Sequence, residues 1–309
     1  MTNPSAAPAT LAGDTDAAGA VAGVFVRDPF RIEGPACISF SGGRSSGYML
    51  WRILQAHGGT LPKNVVVMFA NTGKEMPETL VFVDKCSKRW SVPVTWVEYR
   101  NAEKPSDRWR VVTFETASRN GEPFASSIGA KSFLPNPVMR FCTSELKVKA
   151  MHRYLIATHG WEEWVSVIGI RADEPRRVAR ISAPDKDRDE RVAPLAMAGV
   201  TVHDVGAFWA SQVFDLGLPN MNGKTMHGNC DLCFLKGADQ ILSLIREKPE
   251  RAIWWMEQEK RLIGKSRTPA SATFRSDRPS YAAMHRYATE QYEMFAFDDE
   301  PIQDCMCVD

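Results

Sequence analysis

The sequence predicts an α/β fold, a doubly wound and mostly parallel sheet flanked by helices and followed by a helical C-terminal part. Three observations carry that expectation. Continuous β-branched and apolar runs such as Asn64–Ala70 (NVVVMFA) and Trp164–Ile170 (WVSVIGI) suit strands buried on both faces. These runs alternate with segments of helical spacing, the signature of right-handed parallel strand-helix-strand units. From His203 onward, helical patterns dominate.

In order, Ala36–Phe40 is the first strand, stopping at Ser41-Gly42-Gly43, and Tyr48–Ala56 reads as a helix. The second strand is Asn64–Ala70; Pro77 suits a first helical turn, and Glu78–Trp90 continues with helical spacing. Val92–Tyr99 is the third strand. Arg100–Pro137 loses the rhythm among Pro105, Gly121, Pro123, Pro135 and Pro137 and is expected as a long excursion over one face. A helix follows from about Ser144 to Thr158, then the strand Trp164–Ile170. Arg176–Arg191 is highly charged and reads as a solvated loop. Helices are expected over Asp204–Ser211, Ala238–Glu247, Pro249–Leu262 and Tyr281–Phe295. The resulting division is a tail over 1–34, a nucleotide-binding α/β domain over 35–195, and a helical region over 196–309.

Composition narrows the function classes. The 309 residues are 44% hydrophobic and 24% charged, which excludes wholesale disorder, a collagen-like fibre and a coiled coil. A formal charge of +1 supplies no global field for nucleic acid, so any such binding needs a local basic patch. No run approaches the ~18 apolar residues of a membrane span. The first 23 residues, rich in Ala, Gly, Pro and Thr, lack the marks of a secretory or transit signal and read as a disordered tail. Seven cysteines without such a signal fit reduced thiols and a cytoplasmic location.

Ser39-Phe-Ser-Gly-Gly-Arg-Ser-Ser46 lies between a buried strand and a helix. There the helix N-terminus offers unpaired N–H groups and partial positive charge. Gly42 and Gly43 let the backbone approach an anion, Ser41, Ser45 and Ser46 add hydroxyls, and Arg44 adds a cation. The plainer reading is a glycine-containing turn with a serine cap. The segment is neither GxxxxGK[ST] nor GxGxxG, which disfavours a Walker-type NTPase and a dinucleotide dehydrogenase. Asn71-Thr72-Gly73 follows the second strand and Gly169-Ile-Arg171 the fourth, both at strand ends where doubly wound sheets bind ligands. Arg171 suits a phosphate or sulfate; its plainer role is a salt bridge to Asp173 or Glu174.

The SGGxxS segment resembles the pyrophosphate loop of the PP-loop, or N-type, ATP pyrophosphatases. With the Asn71–Thr79 and Gly169–Glu174 segments, the chain resembles the phosphoadenosine phosphosulfate (PAPS) reductase family from about Ala36 to Gly237. That resemblance implies a Rossmann-like fold and an adenine nucleotide, ATP with Mg2+ or a sulfonucleotide, bound by Ser39–Ser46, Asn71–Gly73, Gly169 and Arg171.

Cys142 stands just ahead of a helix, and Cys230 and Cys233 form a CxxC. A CxxC supplies two thiols on one tight turn and suits zinc, iron–sulfur or redox chemistry, or simply structural packing. By resemblance to adenylyl sulfate reductases, Cys142, Cys230 and Cys233 would hold a [4Fe–4S] cluster, with either Cys305 or Cys307 of the terminal CxC as fourth ligand or that iron open to sulfide or a substrate sulfur; Phe141 stands where that family has a further cysteine. His227 would be a supporting partner, while Cys37, Cys86 and Trp254-Trp255 read as core. Lys147 and Lys149 read as solvated or phosphate-directed, and Asp204 as the cap of a helix that His203 opens.

Two reactions follow from the resemblance. In the first, ATP is cleaved between its α and β phosphates to adenylate a tRNA or DNA acceptor for cluster-assisted sulfur insertion, with a cysteine desulfurase as sulfur source. In the second, a tail cysteine, Cys305 or Cys307, attacks a sulfonucleotide, and thioredoxin releases sulfite. Intact glycines and serines in the loop favour the first. A non-catalytic nucleotide-binding regulator is the third class.

Overall fold

The computed structural model describes residues 28–181, 189–221, 224–225, 227–228, 230–264 and 272–290. Six strands form one sheet in the order β4-β3-β2-β1-β5-β6. β1 (Ala36–Ser39) lies in the middle, parallel to β2 (Val65–Asn71) on one side and β5 (Trp164–Ile168) on the other. The chain winds outward through β3 (Val94–Glu98), crosses back to β5, and finishes on β6 (Asp189–Val192), all parallel. β4 (Arg110–Val112) alone runs antiparallel, at the edge beyond β3. The winding direction reverses between β1 and β5, so their carboxyl ends open the crevice where such sheets take ligands.

Most of the expected helices are present, and α3, α5 and α6 form where the sequence suggested none. α1 (Arg44–Ala56) and α2 (Pro77–Arg89) bury their apolar stripes in the main core, which Ile38, Phe40, Met49, Leu50, Phe69 and Phe82 fill. α3 (Glu122–Lys131) rises out of the excursion. Cys142–Val148 is a π-helical turn, its last hydrogen bond running from Lys149 N–H to Ser144 O, and it continues into α4 (Lys149–His159). α5 (Pro175–Ile181) and the short α6 (Pro194–Met197) follow. α7 (Val202–Ser211) opens with Thr201 and Asp204 hydrogen-bonded reciprocally as a capping box, beside an exposed His203. α8 (Ala238–Glu247), α9 (Arg251–Leu262) and α10 (Tyr281–Glu290) build a second core around Trp255, Phe274 and Tyr281.

Several expectations shift. The tail expected over 1–34 is packed from Asp28 onward: Phe30 is 1% exposed and lies under the Arg52 guanidinium, and Ile32 N–H donates to His57 Nε2 at 3.0 Å. The apolar pair outweighs the polar neighbours that made the segment read as tail. The expected loop Arg176–Arg191 contains most of α5 and most of β6, because charge marks an exposed face rather than absent structure; residues 182–188 lie outside the described set. The main core reaches past residue 195 to take in Val205, Trp209, Leu216 and Leu218. Among the described residues, no helix is long and apolar enough to cross a membrane.

Candidate nucleotide site

The loop after β1 is shaped by two glycines with different duties. Gly42 has φ +79°, and a Cβ there would sit 2.6 Å from Thr79 Cγ2 and 3.0 Å from Val83 Cγ2 of α2. Both backbone and space therefore demand glycine. Gly43, the N-cap of α1, has φ −92°, which any residue adopts, and its Cβ would meet only Ser41 Oγ at 3.6 Å. That side of the loop faces open space in front of the helix N-terminus.

The serines are organised around it. Ser41 and Ser46 share a hydrogen bond at 2.9 Å, and Ser46 Oγ also donates to Gly43 O at 3.1 Å. Across the switch point, a Cβ on Gly169 would lie 2.9 Å from Ser46 Cα, so only glycine lets the end of β5 approach the start of α1. Arg171 completes the juncture. Its Nη1 donates to Ser45 Oγ at 2.9 Å and its Nε to Asp173 Oδ1 at 2.9 Å, while its N–H donates to Glu174 Oε2 at 3.0 Å. The salt bridge and the link to the loop thus coexist. Ser39 ends β1, buried beneath the loop.

Arg44 does something else. Its guanidinium turns away from the loop to pair with Asp215 through Nε at 2.8 Å and through Nη2, and it donates to Leu218 O and Thr225 Oγ1 at 2.7 Å each. Burial raises the Asp215 pKa, but the Arg44 hydrogen bonds and charge outweigh it and leave the carboxyl below its ordinary value of 3.8. With every donor nitrogen engaged, this arginine fastens α1 to the chain that follows α7 instead of serving a phosphate as expected from the sequence.

The Asn71–Glu75 loop is locked from two sides. Asn71, fully buried, donates to Glu98 Oε1 at 2.6 Å and Ser118 O at 2.9 Å, and accepts from Gly73 N–H at 3.1 Å. Gly73 has φ +78° and lies against Gly121, whose N–H donates to Gly73 O at 2.8 Å. On the other side comes the CxxC. Thr72 Oγ1 is 3.5 Å from Cys230 Sγ, Glu75 and Cys230 form a β-bridge, and Lys74 pairs with Asp231 at 2.9 Å. Lys236, 5% exposed, donates to the carbonyls of Gly228 (2.6 Å), Cys230 (2.7 Å) and Asp231 (3.3 Å). No local motif signals that buried ammonium.

Cys142, Cys230 and Cys233 are all buried in the second apolar cluster. Thiols on a CxxC turn have the donor chemistry of an iron–sulfur site, but among the described residues no three Cys, His, Asp or Glu side chains converge as ion ligands. Cys305 and Cys307 lie outside the described residues. His227 supports Glu247, 2.6 Å from its Nε2, rather than a cysteine. Cys37 and Cys86 are core thiols; burial, aided by Asp189, pushes Cys37 up to about 12, and burial pushes Cys86 up as well. Trp255 is fully buried; Trp254 packs on Gly121 and the Lys74 ammonium.

Residues 35–210 match the phosphoadenosine phosphosulfate reductase domain model. The uncharacterized nin region protein ORF290 of Escherichia phage lambda is 32% identical over 209 residues, covering 66% of this chain and 67% of that protein. The domain match takes in the serine loop, the switch point and the Arg171 juncture, and on it the chain belongs to the phosphoadenosine phosphosulfate reductase domain family of the PP-loop superfamily.

Proposed function

We propose that the protein binds ATP with its phosphates on the Ser41–Ser46 loop and cleaves it between the α and β phosphates to adenylate an acceptor. The observation that carries this reading is Gly43, a glycine that neither backbone nor packing requires, bordering open space at a helix N-terminus. A ligand is what a side chain there would displace. In the reaction, an acceptor oxygen attacks the α-phosphorus and the bond to the α,β-bridging oxygen breaks. Pyrophosphate leaves with the electron pair. The N–H groups opening α1 and the hydroxyls of Ser41, Ser45 and Ser46 stabilise its growing charge. Arg171, tied to Ser45 Oγ, adds a fixed cation on the β5 side.

The sulfur-inserting half of the reaction would draw on Cys142, Cys230 and Cys233. The domain match itself favours a second reading, reduction of a sulfonucleotide to sulfite. Calorimetric titration of anaerobically purified protein with ATP and, separately, with PAPS separates the two. Tighter binding of ATP, with pyrophosphate released on addition of acceptor, supports adenylation. Tighter binding of PAPS, with sulfite released in the presence of thioredoxin, overturns it.

A further inference from the structure

Charge is unevenly spread along this nearly neutral chain. Between Arg100 and Arg153 there are ten basic and five acidic side chains, a surplus of five against +1 for the whole protein. Folding concentrates that surplus. Glu145, on the π-helical turn, is buried and takes three cations at once: Lys131 at 3.4 Å, Lys149 at 3.0 Å and Arg153 at 3.2 Å. One carboxylate cannot neutralise three cations, so two positive charges remain. Lys149 is half exposed and Lys131 one-third exposed, so both can reach a ligand. Arg153 Nη1 is buried with no hydrogen-bond partner.

The neighbouring arginines are fixed but not neutralised. Arg100 donates to Asp107 O, Arg108 to Ala102 O and Glu103 O, and Arg140 to Pro137 O. Main-chain carbonyls orient these guanidinium groups without cancelling their charge, so little side-chain entropy is left to lose when an anion binds. The Pro105–Asp107 turn of the excursion packs against α4, which places the two on one surface. Aromatic rings are set into it. Trp109 meets Tyr154 of α4 edge-on at 5.4 Å, both half-buried. The patch starts beside Cys142, on the π turn that packs against β2, and runs down α4.

Fixed cations interleaved with half-exposed aromatic rings suit a flexible chain of phosphates whose unpaired bases can stack. We infer that the face made by Arg100, Arg108 and Trp109 of the excursion, Lys131 of α3, and Lys149 and Arg153 of α4 binds single-stranded nucleic acid. The inference rests on the adenylation reading only in naming that strand as the acceptor; binding itself does not depend on it.

The test is fluorescence anisotropy of the full-length protein with a labelled mixed-sequence DNA oligonucleotide, single-stranded and as duplex, over a salt series. The expected result is tighter binding of the single strand, with log K falling linearly with log salt. Lys131→Gln/Lys149→Gln should reduce that slope by about two, and Trp109→Ala should weaken binding about tenfold. Calorimetric binding of ATP by the same variants, unchanged from the parent, shows that they are folded. Absence of single-strand binding at low salt, preference for the duplex, equal binding of polyglutamate, or an unchanged salt slope in the folded double variant overturns the inference. Failure of the parent protein to bind ATP would instead overturn the adenylation reading and leave the surface standing.

Discussion

Gly42 and Gly43 stand side by side, and the structure predicts opposite consequences for replacing them. In Gly42→Ala the new methyl would sit 2.6 Å from Thr79 Cγ2 on a backbone at φ +79°. The left-handed conformation costs about 1–2 kcal/mol and the overpacking against α2 about 1–3 kcal/mol, so about 2–5 kcal/mol in all. At about 2–4 °C per kcal/mol for a domain of this order of size, the melting temperature should fall by about 4–20 °C. In Gly43→Val the backbone at φ −92° accepts the side chain, and the only local cost is a poorer N-cap, about 1 kcal/mol. That valine would occupy the approach to the α1 N-terminus, so ATP binding should weaken at least about tenfold. Thermal melting by circular dichroism and ATP titration of the two variants form the assay. If Gly43→Val melts as early as Gly42→Ala, or binds ATP like the parent, the assignment of the loop is wrong.

Other consequences are open to measurement. Arg171→Ala removes a charge-assisted hydrogen bond to Ser45 and should weaken ATP binding about tenfold or more without lowering the melting temperature appreciably, as calorimetry and melting would show. Asp215→Asn should destabilise the protein by about 2–3 kcal/mol at neutral pH, the low end for a buried pair because Asp215 is one-third exposed. Its folded-state pKa is depressed, so the stabilisation is fully present above 3.8 and is lost as pH falls through the lower folded value; urea titrations should show the gap between variant and parent closing in acid. Lys236→Met should leave three buried carbonyls without their donor and open the CxxC loop to limited proteolysis. Iodoacetamide at mildly alkaline pH should leave Cys37 and Cys86 unmodified until the protein is denatured, as peptide mass mapping would reveal.

What could be read from the sequence was whatever has a short period. The apolar runs of β1, β2, β3 and β5 and the stripes of the C-terminal helices repeat every two to four residues, and all are in place. The serine-glycine loop was legible because its residue types are unusual between a strand and a helix. β4, with three residues, is too short to show alternation, and β6 lies in a run of charges. α1 begins at Arg44 rather than Tyr48 because Ser45 and Ser46 belong to its first turn, which serine propensity disguises. The partner of Arg44 is 171 positions away, and Glu98, fully buried while accepting from Asn71, Arg110 and Ser118, is assembled from three separate segments. Pairings at such separation leave no mark in a single chain.

The Arg44–Asp215 pair also bears on how small a working piece of this protein can be. The family match stops at residue 210, but a fragment cut there would end five residues short of the carboxylate that neutralises a cation 5% exposed in the first turn of α1. It would also lack Leu216 and Leu218 from the main core and Asp231, the counter-charge of Lys74. Conserving the phosphate loop alone would therefore not conserve a folded unit. The piece that keeps these contacts runs at least through Asp231, so chain beyond the matched domain supplies part of what holds the nucleotide domain together.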